Sequence, residues 1–190
     1  MSVSTSESST DVIEFLLAQH QEVRQLFAQV QTGGGEARRE PFECLVRLLA
    51  VHETAEEEVV YPALRSTGPD GERIADERTA EEDEAKKVLS DLERIGPTDE
   101  EHFDAKLEAF RLLVIDHAES EEREVFPRLR ASLDADKLRS MRSAVEAAER
   151  MAPTHPHPHA PESAVGNMLT GPFVAMADKV RDAIRGPKSG

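Results

Sequence analysis

The stretch His52-Glu53-Thr54-Ala55-Glu56-Glu57-Glu58-Val59-Val60-Tyr61-Pro62-Ala63-Leu64 returns 65 residues later (117 − 52) without a gap. The second copy is His117-Ala118-Glu119-Ser120-Glu121-Glu122-Arg123-Glu124-Val125-Phe126-Pro127-Arg128-Leu129. Both read His-x-x-x-Glu-Glu and close on an apolar residue, an aromatic, a proline, one residue and a leucine. On a helix, positions i and i+4 lie about 40° apart around the axis, one turn above another. His52 with Glu56, and His117 with Glu121, therefore each offer a nitrogen and an oxygen to one point. One such pair is an ordinary surface hydrogen bond. Two pairs in matching apolar contexts predict a metal site between two helices.

The rest of the composition suits an all-helical fold. The chain has 190 residues, 38% of them hydrophobic but only 4% aromatic, and Ala, Leu, Glu and Arg dominate. A formal charge of −15 argues against nucleic-acid and anionic-membrane partners, which need clustered Lys and Arg. The single cysteine, Cys44, excludes an intrachain disulfide and a cysteine-based zinc or iron–sulfur site. Cys44 lies off the row of ligand candidates and reads as a small buried residue. No apolar run approaches a membrane span, and the Ser-rich, acidic start is unlike a signal peptide, so a cytoplasmic location is expected.

Residues 1–10 are small and polar and are expected to be disordered. Asp11-x-x-Glu14 can cap a first helix, whose inward row is Ile13, Leu16, His20, Val23, Phe27 and Val30. Gly33-Gly34-Gly35 ends it; no strand precedes and no Gly-Lys-Ser/Thr follows, so it is not a phosphate loop. A second helix is expected from about Pro41, with Phe42, Leu45, Leu49, His52, Glu56 and Val59 inward. Pro62 should kink or end it. Tyr61, nine residues after His52, falls about 180° round a regular helix and reads as packing.

Residues 66–71 (STGPDG) read as a turn, and a third helix spans about 72–95. Its apolar row, counted back from Ile95 and Leu92, brings either Glu81 or Glu82 inward, together with Arg78 and Ile74. A carboxylate so buried needs a proton, a partner or a metal. Thr98-x-x-Glu101 can cap a fourth helix with Phe103, Leu107, Phe110, Val114, His117 and Glu121 inward. His102 lies about 22 Å along that helix from His117, too far to share a site. A fifth helical stretch, about 134–151, precedes alternating Pro and His in residues 153–161, read as an extended strap rather than a metal site. A short amphipathic helix is expected over 171–185. Four helices joined by short turns predict an antiparallel up-down four-helix bundle over 11–133, with additional C-terminal helices in 134–190. Metal sites in such bundles are built from inward side chains at one level, which draws His20 into the set.

A histidine on the first helix, His-x-x-x-Glu on the second and fourth, and a ligand on the third resemble the hemerythrin-like (HHE cation-binding) family. The resemblance covers about 11–133 and implies a non-haem di-iron centre, with Mn or mixed Fe/Mn as variants. The ligands it carries over are His20, His52, Glu56, His117 and Glu121, with Glu56 and Glu121 as bridging carboxylates. The family usually has a histidine on the third helix, often in Glu-His-x-x-Ala-Lys, where this chain reads Glu81-Glu82-Asp83-Glu84-Ala85-Lys86. The resemblance therefore places Glu82 at the histidine position. A second offset, 62 residues, agrees by pairing His20 with Glu82, Val23 with Ala85 and Arg24 with Lys86.

Three histidines and three carboxylates form a harder, more anionic set than an oxygen carrier's histidine-rich site. That favours the ferric state and makes reversible oxygen carriage less suited to this site. The expected function is binding or redox handling of a small oxidant: oxygen, peroxide or nitric oxide. No catalytic motif beyond the metal site appears, so enzymatic activity stays open, as does oligomeric state. The alternative is a sensory or interaction module that signals through its C-terminal tail. A metal-free bundle ranks last, because it would bury several unneutralised carboxylates together.

Overall fold

Asp11 accepts a hydrogen bond from the Glu14 amide (2.9 Å), and Glu14 accepts one from the Asp11 amide (3.3 Å). This reciprocal cap opens α1, Val12–Thr32, which Gly33 closes as expected. The computed structural model describes residues 10–152, and each element it contains there is helical. After α1 come a short 3-10 turn (Gly35–Arg38), α2 (Arg39–Ala55), a π-helical turn (Glu56–Val60) and α3 (Tyr61–Arg65). Then follow α4 (Pro69–Ile95), α5 (Glu100–Ser120), a second π-helical turn (Glu121–Val125), α6 (Phe126–Ser132) and α7 (Ala135–Met151). The expected N-terminal disorder, the Pro/His strap and the terminal short helix lie outside the described residues.

Several boundaries differ from expectation for local reasons. The helix expected at Glu72 begins at Pro69, because a proline in the first turn has no amide to leave unpaired. Gly71 is required there: a Cβ would stand 2.1 Å from the Leu64 carbonyl oxygen, where α4 passes the end of α3. The Thr98–Glu101 capping box does not form. Asp99 occupies the cap position without a side-chain cap bond, and its carboxylate is engaged with His102 instead.

The bundle consists of α1, the α2–α3 rod, α4 and the α5–α6 rod, with α7 laid across α1 and α2. The inward rows of α2 and α5 are buried from Phe42 to Val59 and from Phe103 to Glu121. Arg38 reaches back to the Gly33 carbonyl (2.7 and 3.0 Å), pairs with Asp104 and lies over the Phe103 ring, tying the α1–α2 turn to α5. Cys44 is half-buried.

Two apolar clusters fill the interior. One gathers Val12, Ile13 and Leu16 with Val60, Leu64, Leu129 and, from α7, Leu138, Met141, Val145 and Ala148. The other gathers Val23, Phe27, Leu45, Leu49, Leu89, Phe103, Phe110 and Val114. Each fully buried Leu or Phe contributes about 1.5–3 kcal/mol. Between the two clusters lies a polar layer that stabilises nothing by such burial, and it contains the doubled motif.

Candidate metal centre

The two π-helical turns sit at the same place in the two sequence repeats, each starting on the glutamate of His-x-x-x-Glu. In each, the amide of the aromatic residue bonds back five residues, Tyr61 to the Glu56 carbonyl and Phe126 to the Glu121 carbonyl. The proline that follows has no amide to continue the regular ladder, and its ring crowds the carbonyl four residues back, so a widened turn fits it. This corrects the reading of Tyr61 as packing. The extra residue in the wide turn brings Tyr61 round to about the angle of a regular position eight, on the His52 side of the rod. Tyr61 is fully buried, and its hydroxyl lies 2.5 Å from Glu82 Oε1 and 3.0 Å from Glu121 Oε1. Sequence periodicity missed it; the proline after the aromatic was the available signal.

His20, His52, Glu56, Glu82, His117 and Glu121 all converge in the polar layer. Ligand atoms of His20, His52, Glu56 and Glu121 lie within 4.8 Å of one another, and so do those of Glu56, Glu82 and His117. Glu56 belongs to both groups. Glu121 also spans them, since its Oε2 stands 3.4 Å from His20 Nε2 and 3.7 Å from His117 Nε2. His52 Nε2 is 3.3 Å from Glu56 Oε2. Atoms bound at about 2.0–2.2 Å to one ion stand about 3–4 Å apart, which is the spacing seen here. His102 is exposed and bonded to Asp99.

Each histidine turns its Nε2 inward and anchors its Nδ1 outside. His20 Nδ1 donates to Glu122 (2.9 Å), which also accepts from Arg24 (3.0 Å). His117 Nδ1 donates to Glu81 (3.0 Å), which also accepts from Arg78 (2.6 Å). His52 Nδ1 donates to the Gln19 amide oxygen (2.8 Å). Metal-binding histidines show this arrangement: the proton sits on the outer nitrogen and the lone pair faces the ion. The two glutamates that helical period left open thus have separate places. Glu82 is buried with its carboxylate in the layer, while Glu81 is half-buried and holds His117 from outside.

The layer is electrostatically unfinished without a cation. His20 Nε2, His117 Nε2, both Glu56 oxygens and Glu121 Oε2 are buried and have no hydrogen-bond partner. Burial, and then the charge of Glu121, push the Glu56 carboxyl well above its ordinary range. Burial, and then Glu53, do the same to Glu82, which hydrogen-bonds Glu57. Burial, reinforced by His20, drives His52 down to about 3. Burial alone would raise Glu121, but the neighbouring His117 and His20 imidazoles hold it at about 2. Lys86 faces Glu57 at 2.6 Å, Glu82 at 3.4 Å and Glu53 at 3.7 Å, one cation among three carboxylates. Lone pairs aimed at a common point, with protons held elsewhere, fit a metal ion. A space of ≈ 20 Å³ adjoins the layer, lined by His20, His52, Glu82 and His117 on one side and Val23, Leu49 and Val114 on the other. It has room for one water-sized molecule.

Residues 11–129 match the family model described as the hemerythrin HHE cation binding domain. The chain belongs to that family. An uncharacterized hemerythrin-like protein of Schizosaccharomyces pombe is 30% identical over 135 residues, covering 70% of this chain and 66% of the relative. A Nostoc protein named DNA nickase is 26% identical over 146 residues, covering 76% of this chain and 41% of its own length. This hemerythrin-like chain therefore spans less than two thirds of the curated relatives it matches. The crystal structure of a hemerythrin HHE cation binding domain-containing protein from Mycobacterium kansasii has the same fold. Its TM-score is 0.64 at 19% identity, covering 90% of this chain and 99% of that one. Among the described residues, no helix is long and apolar enough to cross a membrane.

Proposed function

We propose that this hemerythrin-like chain is a non-haem di-iron protein that binds or redox-handles a small oxidant. The observation that carries the reading is the pair of ligand groups sharing Glu56, with three imidazole lone pairs and three carboxylates facing one another in a sealed layer. One ion would take His20, His52, Glu56 and Glu121; the other would take Glu56, Glu82, His117 and Glu121. Bound iron would supply one-electron redox chemistry, and the acidic ligand set would favour its oxidised state. The chain's own part is to exclude bulk water with the two apolar clusters and to admit a molecule no larger than the adjoining space. Tyr61 holds Glu82 and Glu121 in place and is a proton donor at the edge of the layer. Oxygen, peroxide and nitric oxide, at two heavy atoms each, are the oxidants nearest to that size.

Elemental analysis of protein purified without chelator tests the reading. About two iron ions per chain, or iron with manganese, are expected. A single zinc, or no metal after growth with added iron, would refute it.

A second reading, a metal-dependent signalling module, has one observation in its favour: α7, which leads into the C-terminal segment, is hydrogen-bonded to the site through Gln19.

A further inference from the structure

The three histidine anchors are not equivalent. Glu122 and Glu81 are carboxylates, which can only accept, so they fix the proton on Nδ1 of His20 and His117 unaided. His52 is anchored instead by an amide, which has both a donor end and an acceptor end. Turned one way, Gln19 offers its oxygen and leaves the His52 Nε2 lone pair facing the layer. Turned the other way, it offers its NH₂, the Nδ1 must accept, and the proton moves to Nε2, where it blocks a metal.

The second contact of Gln19 removes the ambiguity. Its other end lies 2.6 Å from Oε1 of Glu149 on α7. A carboxylate there requires the NH₂ to face it, and the oxygen then necessarily faces His52. We infer that Glu149 is a positioning residue for the metal centre: through Gln19 it sets the tautomer of His52. Glu149 lies beyond the residues matched by the family model, so an element outside the four-helix bundle determines whether one ligand is competent. This rests on His52 being a metal ligand, as proposed above.

Full-length protein is titrated with Co(II) against a competing chelator, and the ¹⁵N signals of His52 are read in the Zn(II)-loaded chain. Outer hydrogen-bond partners of ligating histidines typically change metal affinity about 10–100-fold. Glu149→Ala is expected to weaken one of the two Co(II) ions by about 10-fold or more. Gln19→Ala combined with Glu149→Ala should be no weaker than Gln19→Ala alone, because Glu149 acts through Gln19. The exchanged pair, Gln19→Glu with Glu149→Gln, restores an acceptor at His52 and a donor beneath it, and should recover affinity to within about 3-fold. If α7 matters only for packing, Glu149→Ala lowers the melting temperature but leaves Co(II) affinity intact, and the inference is wrong. Failure of the exchanged pair to recover affinity overturns it equally. Should the wild-type chain bind neither Co(II) nor Zn(II), the metal reading itself has failed. The His52 signals of the metal-free full-length chain then decide the inference. It stands if wild type carries the proton on Nδ1 and Glu149→Ala moves it towards Nε2, and it falls if the two are alike.

Discussion

The Tyr61 hydroxyl lies 2.5 Å from Glu82 Oε1, and the two side chains meet only because the helix carrying Tyr61 widens by one residue just before it. In the second repeat the same position is Phe126, whose ring stacks on His20 with centroids 5.6 Å apart. The repeats thus share one backbone device and use it differently: one aromatic supplies a donor to the carboxylates, the other an apolar lid on an imidazole.

Tyr61→Phe separates the two uses. Phenylalanine at the equivalent position of the other repeat shows that the wide turn accepts the ring, so the variant should fold. Losing a donor to buried oxygens costs about 1–3 kcal/mol, equivalent to a melting temperature lower by about 2–10 °C for a chain of this size. Metal stoichiometry should stay at two while the absorption spectrum shifts, because Glu82 and Glu121 lose their shared restraint. An unchanged spectrum together with an unchanged melting temperature would show that the hydroxyl contact has no weight.

Much of this arrangement was legible in the chain because it follows simple periods. The 65-residue repeat and the three-four apolar rows located α1, α2, α4 and α5 and put His20, His52, Glu56, His117 and Glu121, with either Glu81 or Glu82, on inward faces. What periodicity could not reach were departures from it. A π-helical turn has no apolar pattern of its own, so Tyr61 was counted to the wrong side. Arg38, which ties α1 to α5 through Gly33 and Asp104, looked like any surface arginine. Glu81 and Glu82 were inseparable by period because both lie near the inward face; the family's histidine position and the 62-residue offset favoured Glu82, whose carboxylate is the buried one.

That division between Glu81 and Glu82 gives opposite outcomes for conservative and non-conservative changes. Glu81 acts on His117 by accepting the Nδ1 proton while its other oxygen accepts from Arg78, so Glu81→Asp, which keeps a carboxylate for both donors, should bind metal nearly normally. Glu81→Ala should weaken one ion about 10–100-fold. Glu82→Gln should be damaging, because an amide is a poor substitute for a charged ligand. Glu82→His should retain metal. Glu57 already lies against residue 82 and Lys86, as Glu122 lies against His20 and Arg24, and can receive an imidazole Nδ1 proton in the same way. Replacing a carboxylate with a neutral ligand should raise the reduction potential, measurable by redox titration. A potential that falls, or Glu81→Asp losing metal as severely as Glu82→Gln, would show that the two glutamates have been assigned in reverse.

The sharpest expectation concerns Glu56, which stands in both ligand groups and has two buried oxygens without partners. In the metal-free chain its carboxyl is pushed well above the ordinary range by burial and by Glu121, so ionising it there opposes folding. Glu56→Gln removes that charge at constant shape, and its new NH₂ can donate to Glu121. Chelator-treated Glu56→Gln should therefore melt at a higher temperature than chelator-treated wild type. With metal the order should reverse. Saturation at about 100 times the dissociation constant stabilises the wild type by about 2.7 kcal/mol, roughly 5–10 °C here, and the variant should gain little because its shared ligand is gone. Calorimetry of both proteins with and without Fe(II) under anaerobic conditions measures all four values. A variant that is less stable than wild type after chelation would mean that Glu56 is held by contacts of its own. One that gains as much from Fe(II) as wild type would remove Glu56 from the centre altogether.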